Sequence, residues 1–88
     1  MTTAFRKSFG RDLKRINDQR LLDRVRKVIE EVEAADDLQE VGNLKKMTGS
    51  SNLYRIRVGD YRIGIAVAED TVEFVRCLPR RDLYRFFP

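Results

Sequence analysis

The sequence predicts an α+β domain in which an N-terminal helical hairpin packs on one face of a small antiparallel β-sheet. Two observations predict this class. An apolar stripe at helical spacing runs through the first forty residues, and three short strand-like segments bounded by turn residues follow residue 52. The chain has 88 residues, which is room for one modest core, so residues 1–88 are predicted to form a single domain.

The N-terminal half is predicted to be helical after a short first strand, Thr2–Phe5. Apolar residues at helical spacing indicate an amphipathic helix from Ser8 to about Ile16. Asn17 interrupts this pattern, and Asp18 can cap the helix that follows. That second helix has the clearer signature, because its apolar residues recur at i, i+3 and i+4 over three turns. These core-facing residues are Leu21, Leu22, Val25, Val28, Ile29 and Val32.

The sheet is predicted from three segments of the C-terminal half. Leu53–Val58 and Tyr61–Ala68 are separated by Gly59-Asp60, a dipeptide typical of a tight hairpin turn. Thr71–Leu78 is the third strand, and Pro79 ends it because proline cannot donate to a strand ladder. The middle strand is apolar on almost both faces, as expected for a central strand.

Two connecting segments and one surface feature complete the predicted architecture. Leu38–Asn52 is expected to be a loop, and Arg80–Phe87 a short helical or irregular tail. Gly64 and Ala66 share a strand face with Arg62. Their small side chains predict a shallow concavity beside that arginine.

Charge is distributed unevenly along the chain, whose formal net charge is +4. Residues 1–29 carry nine basic and three acidic side chains, residues 30–40 carry six acids and no base, and residues 41–88 carry nine basic and five acidic side chains. A basic body with one acidic end is typical of a protein that meets nucleic acid on one side.

The residue types limit the chemistry. The chain has no histidine, and its single cysteine, Cys77, cannot form an internal disulfide. We therefore expect neither a zinc site nor a histidine general base, and no cofactor. The sequence also has no long apolar run, so we expect no signal peptide and no membrane segment. A cytoplasmic protein is the expectation.

Three arginines are predicted to converge on one face of the sheet. Arg55 and Arg57 are two residues apart, so a strand projects both from the same face, and Arg62 returns on the neighbouring strand. Guanidinium groups donate bidentately to phosphate and stay charged at ordinary pH. The pattern indicates a polyanion site, although alternating arginines are also typical of a solvated face on a half-exposed strand.

Two segments resemble a known family. Leu53–Ile63 reads Leu-Tyr-Arg-Ile-Arg-Val-Gly-Asp-Tyr-Arg-Ile, and Arg80–Tyr84 reads Arg-Arg-Asp-Leu-Tyr. They are similar to the central signature and the terminal Arg-x-x-x-Tyr element of the RelE/ParE superfamily, toxins of bacterial type II toxin–antitoxin pairs. The resemblance, which extends from Lys45 to Tyr84, implies a RelE-like fold. It also implies a hetero-oligomer with a cognate antitoxin.

The resemblance further implies an activity. RelE-type toxins are metal-independent endoribonucleases that cut messenger RNA in the ribosomal A site and inhibit translation. The ribose 2′-hydroxyl attacks the adjacent phosphorus, so the enzyme must stabilise phosphate charge and assist two proton transfers. The residues that match the family's catalytic positions are Arg55, Arg57, Arg62, Arg80 and Tyr84. The residues that the match implies in RNA binding are Lys45, Lys46 and Arg81.

Two other functions stay open at this point. Arginines 55 and 57 cannot readily release a proton, and Pro79 stands where relatives commonly have histidine. A non-catalytic binding protein with a toxin fold is therefore one alternative. A ParE-like toxin that binds DNA gyrase without cutting RNA is the other. The set of Arg62, Arg80 and Tyr84 favours the endoribonuclease.

Overall fold

The computed structural model describes residues 1–87 and consists of a five-stranded sheet with three helices. The elements in chain order are β1 (Thr2–Phe5), α1 (Lys7–Lys14), α2 (Gln19–Ala34), a 3₁₀ turn (Leu38–Glu40), β2 (Leu44–Lys46), β3 (Leu53–Val58), β4 (Tyr61–Ala68), β5 (Thr71–Pro79) and α3 (Arg80–Phe86). The strand order in the sheet is β1-β5-β4-β3-β2. The predicted α+β class is confirmed. Within residues 1–87, no helix combines the length and apolar character needed to span a bilayer.

The predicted antiparallel sheet was wrong at one edge. β1 runs parallel to β5, with Thr2 opposite Thr71 and Phe5 opposite Phe74, so the sheet is mixed. A parallel pair needs a long crossover, which the helices and the other strands supply here. The second difference is β2, which lies inside the segment predicted to be a loop. Its three residues are too few to show an alternating pattern.

The predicted first strand, Thr2–Phe5, is confirmed as β1. The predicted packing of the two helices as an N-terminal hairpin is not confirmed, because each helix packs mainly on the sheet. α1 contacts β5, whereas α2 contacts β1 and β3. The predicted cap of α2 is confirmed, because the Asp18 side chain accepts hydrogen bonds from the backbone N–H groups of Arg20 at 3.0 Å and Leu21 at 3.2 Å.

The main core lies between these two helices and one face of the sheet. The predicted stripe of α2 faces it, since Leu21, Val25 and Val32 are buried. Burying a large aliphatic or aromatic side chain contributes roughly 1.5–3 kcal/mol, so this layer supplies most of the stability. The largest fully buried side chains of the layer are Phe9, Val25, Val32, Ile56, Val58, Ile63, Ile65, Val72, Phe74 and Cys77.

A buried carboxylate fastens α1 to β5. Asp12 is 5% exposed and accepts hydrogen bonds from Arg76 Nε at 2.8 Å, Arg76 Nη2 at 3.0 Å and the Cys77 backbone N–H at 2.9 Å. A buried charge is tolerated only when it is paired and hydrogen-bonded in this way. Burial, with a smaller effect from the Asp12 charge, raises the pKa of the Cys77 thiol to about 12.

A second, smaller core lies on the opposite face of the sheet, beneath α3. It contains Met47, Leu83 and Phe87, with Leu78 packed beside them. The ring of Phe87 lies directly on Gly64, because a Cβ added there would be 2.9–3.0 Å from three ring atoms. The small side chain of Gly64 therefore does not create the concavity predicted beside Arg62, since Phe87 fills the space at that position.

Candidate active site

The face of the sheet beside α3 carries the three predicted arginines, and we call it the arginine face. Arg57 lies opposite Arg62, and Arg55 lies opposite Gly64, in the β3–β4 pair. Directly opposed residues of an antiparallel pair project from the same face. The intervening Ile56 is only 1% exposed, in the main core. The predicted convergence of Arg55, Arg57 and Arg62 is thus confirmed.

Arg80 and Tyr84 reach this face from α3. The Arg80 backbone N–H donates to the Asp60 carbonyl at 2.9 Å, which ties the start of the helix to the β3–β4 hairpin. Tyr84 is one helical turn further on and lies on the same side of the helix. The Cζ atom of Arg55 is 5.3 Å from the centre of the Tyr84 ring, a cation–π distance, although the tyrosine remains 54% exposed.

These side chains surround a cavity of about 500 Å³, which we call the cationic cavity. Five of its lining residues are basic, one is an exposed tyrosine and, among the described residues, none is acidic. The lining residues are Val41, Asn43, Leu44, Lys45, Arg55, Arg57, Arg62, Arg80 and Tyr84. A concave surface with this charge attracts anions and concentrates them locally.

Hydrogen bonds hold the central arginine in place. Arg62 Nη1 donates to the carbonyl oxygens of Gly59 at 3.0 Å and Tyr61 at 2.9 Å. Burial lowers the pKa of Arg62, and the positive charges of Arg57, Arg80 and Arg55 lower it further. The guanidinium is therefore fixed among like charges, an arrangement that a bound anion would stabilise.

The cations of the cavity have no carboxylate partner within residues 1–87. The two ion pairs in this part of the chain join Arg6 to Glu73 and Arg76 to Asp12. Arginines on an ordinary solvated surface are commonly interspersed with acids. A set of cations that excludes acids is instead typical of a surface whose counter-ion is a ligand.

The two predicted lysines lie on different sides of the sheet. Lys45 pairs with Arg55 and lines the cationic cavity, whereas Lys46 pairs with Tyr54 and projects from the opposite face. Arg81 also lies outside the cavity. It lines a neighbouring groove of about 480 Å³ with Asp60, Pro79, Arg80 and Tyr84.

Sequence reasoning missed the residues that close the cavity from the β2 side, including Asn43. Asn43 has a positive φ of 60°, and its carbonyl accepts a hydrogen bond from the Arg57 N–H at 3.0 Å. Asparagine tolerates the left-handed conformation, and Gly42-Asn43 is a recognisable turn signal. That signal predicts the bend but not its position against the arginine face.

Comparison with known proteins identifies close relatives. Residues 4–84 match the family model described as the ParE toxin of type II toxin-antitoxin systems, parDE. Toxin RelE3 of Methanocaldococcus jannaschii is 42% identical over 89 residues, with 100% of each chain covered. The toxin–antitoxin complex RelB-RelE from Methanococcus jannaschii contains a chain with a TM-score of 0.82 and 41% identity, covering 97% of this chain and 99% of that chain.

More distant structures share the same fold. The RelE-RelB complex from Pyrococcus horikoshii matches with a TM-score of 0.73 and 22% identity, over 90% of this chain and 93% of that chain. The YoeB dimer from Staphylococcus aureus matches with a TM-score of 0.73 and 16% identity, over 89% and 94% of the two chains. At these identities the likeness shows the fold alone.

Proposed function

The chain belongs to the RelE/ParE superfamily of toxins from type II toxin–antitoxin systems, and we propose that it cleaves messenger RNA in the ribosomal A site, in the cytoplasm, and thereby inhibits translation. One observation carries the proposal. The cationic cavity holds five basic side chains and an exposed tyrosine, with no acid among its described lining residues. RNA cleavage at a phosphodiester needs this kind of charge stabilisation.

The cavity suits a reaction in which charge builds up on phosphate oxygens. Arg62 is held in place by two backbone carbonyls, so little reorganisation is needed when the charge develops. Arg80 lines the same cavity from α3 and supplies a second guanidinium. Arg55 and Arg57 add positive potential from β3. We assign these four arginines to phosphate binding and transition-state stabilisation.

Base recognition and proton transfer fall to other lining residues. Tyr84 presents an exposed ring beside Arg55, and aromatic rings stack on unpaired bases of single-stranded RNA. The arginines keep their protons. Tyr84 and Lys45 are the lining residues whose side chains can act in acid–base catalysis. We therefore assign the two proton transfers to Tyr84 and Lys45. We also assign to them the orientation of the 2′-hydroxyl in line with the scissile phosphate bond.

We also propose that a cognate antitoxin binds this toxin in a hetero-oligomer. Two of the solved relatives are complexes of a RelE toxin with a RelB antitoxin. The excess of positive charge on the arginine face predicts that the antitoxin presents an acidic segment to it. Part of that affinity should fall with added salt, because exposed charges are screened.

Induced expression in bacterial cells tests the activity. Growth should stop, and mapping of RNA 5′ ends should show new cuts inside translated messages. The same message without a start codon should stay intact, because cleavage requires the ribosome. A matched variant, Arg11→Ala, removes an exposed arginine from α1 and should remain toxic, whereas Arg80→Ala should not.

Two outcomes would assign a different function. Intact messages together with gyrase-dependent DNA breaks would favour the ParE-like activity. Normal growth, intact messages and stable binding to the antitoxin would favour a non-catalytic toxin-fold protein.

A further inference from the structure

We propose that Gly64 and Phe87 are positioning residues for the reaction, because the contact between them holds Arg80 and Tyr84 over the arginine face. The inference deepens the proposed function and rests on it for its catalytic readout. We call the contact the Phe87 seat. Neither residue lines the cationic cavity, so both would act through α3.

The seat is closely fitted. A Cβ at Gly64 would lie 2.9, 2.9 and 3.0 Å from the Cδ2, Cγ and Cδ1 atoms of Phe87, closer than ordinary van der Waals contact. The ring is 3% exposed. Gly64 also has no positive φ, unlike Gly49 and Gly59. Glycine is therefore required at position 64 by the space that the ring occupies, not by the backbone conformation.

The sheet is irregular at the same position. Gly64 pairs with Arg76, but the next residue, Ile65, pairs with Phe74, so Val75 is an extra residue in β5. Such a bulge redirects the side chains of its strand, and Val75 packs against the small core beneath α3. A glycine in a central strand weakens that strand. The weakened position coincides with the place where α3 is docked.

α3 depends on this docking for its orientation. It has seven residues, too few for an independently stable helix. Leu83 is fully buried within α3, and Phe87, the extended residue that follows the helix, is nearly so. The Phe87 N–H donates to the Leu83 carbonyl at 2.8 Å, which ties the buried ring to the end of the helix. Arg80 and Tyr84 lie one turn apart on the side that faces the cavity. Fixing the first pair therefore fixes the direction of the second pair.

The other half of the site does not need the seat. Arg55, Arg57 and Arg62 project from β3 and β4, whose opposite faces are buried in the main core through residues such as Ile56 and Ile63. Loss of the seat should separate the α3 groups from the sheet arginines while leaving those arginines in place. The expected result is an enzyme that still binds RNA through the sheet arginines, although less tightly, and whose cutting step is slowed more than its binding.

Gly64→Ala tests the seat from the sheet, and Phe87→Ala tests it from the tail. In single-turnover cleavage on programmed ribosomes, each change should slow the cutting step by about 100-fold, as expected for a misplaced reacting group. The apparent affinity for the ribosome should fall less than the cutting rate does, and no more than it falls in Tyr84→Ala, because the sheet arginines stay in place. The matched control is Gly10→Ala, because a Cβ there meets nothing within 4 Å. This control should cleave at the parental rate.

The double variant Gly64→Ala/Phe87→Ala gives the sharpest result. Without the ring, the added methyl group has nothing to collide with, so the double variant should be no slower than Phe87→Ala alone. Hydrogen exchange gives a readout independent of activity. In Gly64→Ala the amides of residues 84–87, which are hydrogen-bonded within α3 or at its end, should exchange faster than in the parent, while those of β3 should not change.

Three results would overturn the inference: parental cleavage by Gly64→Ala, two effects that multiply in the double variant, or unchanged exchange of the α3 amides. If Gly64→Ala does not fold, Phe87→Ala takes its place, because this change only removes atoms from the small core. The same slower cutting and faster amide exchange are then expected of Phe87→Ala. If the parent protein does not cut RNA, the proposed function fails, and amide exchange still decides whether the seat holds α3.

Discussion

Arg57 and Arg62 lie directly opposite each other across the β3–β4 pair. Like charges in this position destabilise a sheet, and Arg57 is the neighbouring charge that contributes most to lowering the pKa of Arg62. Hydrogen bonds from Arg62 to the carbonyls of Gly59 and Tyr61 hold the Arg62 side chain in place despite the neighbouring charge. The fold therefore accepts a local repulsion that RNA phosphate would relieve.

Replacing one member of this pair should stabilise the protein and weaken its activity. Arg57→Gln removes the repulsion but no hydrogen bond seen in residues 1–87, so the free energy of unfolding should rise by about 0.5 kcal/mol. Urea denaturation at low ionic strength measures it, and RNA cleavage should fall. The control Arg11→Gln changes an exposed arginine of α1 and should not raise stability. Equal stability in parent and Arg57→Gln would contradict the prediction.

Arg62 should matter for chemistry more than for folding. Arg62→Ala loses two hydrogen bonds to the hairpin but also relieves the repulsion with Arg57, so stability should change by no more than about 1 kcal/mol. Cleavage should fall by about 100-fold or more, as expected for removal of a donor to a charged transition state. Arg62→Lys keeps the charge without the planar fork and should recover only part of the activity. Unfolding of Arg62→Ala would show that the residue is structural.

Tyr84 can be divided into its ring and its hydroxyl. Tyr84→Phe keeps the ring beside Arg55, so RNA affinity should be maintained, and a fall of about 10-fold or more in the cleavage rate would assign the hydroxyl to proton transfer. Tyr84→Ala removes the stacking surface and should also weaken RNA binding, by about 1–3 kcal/mol. Single-turnover rates and ribosome-binding titrations separate the two effects. Parental rates and affinity in Tyr84→Ala would remove Tyr84 from the site.

The two ion pairs should differ sharply in their contribution to stability. Asp12→Asn breaks the buried pair with Arg76, and the free energy of unfolding should fall by about 3 kcal/mol. Glu73→Gln breaks the partly exposed pair with Arg6, whose side chains are 35% and 61% exposed, and should cost less than about 0.5 kcal/mol. Thermal and urea denaturation of the two variants provide the comparison. Equal losses would show that Asp12 does not hold α1 on β5.

The buried thiol of Cys77 should lower the free energy of unfolding at alkaline pH. This thiol has a pKa of about 12 in the folded state, against an ordinary value of 9.0. The unfolded chain therefore releases this proton first, and stability that is complete below pH 9 is lost as the pH rises toward 12. Between pH 8 and pH 10.5 the parent should lose about 2 kcal/mol more than Cys77→Ala. Parallel stability curves for the two proteins would show that the thiol ionises equally in both states.

The elements predicted correctly from the sequence are those marked by neighbouring residues, such as an alternating strand pattern or a turn dipeptide. The alternation of β3 and β4 and the Gly59-Asp60 turn set the register that brings Arg57 against Arg62. The position of Lys46 could not be derived in this way, because the three residues of β2 carry no periodic signal and only their pairing with β3 separates Lys46 from Lys45. The parallel pairing of β1 likewise depends on a strand almost seventy residues away.

The error at Gly64 has a different physical origin. A glycine on an exposed strand face predicts open space when only the strand is considered. The ring that fills this space belongs to Phe87, and its position depends on how α3 folds back over the sheet. Local pattern thus located the arginine face correctly but could not predict which side chain would cover its edge.

The parallel pairing of β1 with β5 also limits the order in which the protein can fold during its synthesis. Synthesis proceeds from the N-terminus, so the first strand must wait for residues 71–74 before it can join the sheet. Arg80 and Tyr84 leave the ribosome later still, and Phe87 follows them. A growing chain therefore has no complete cationic cavity. The proposed activity therefore arises only after the chain through Phe87 has left the ribosomal exit tunnel.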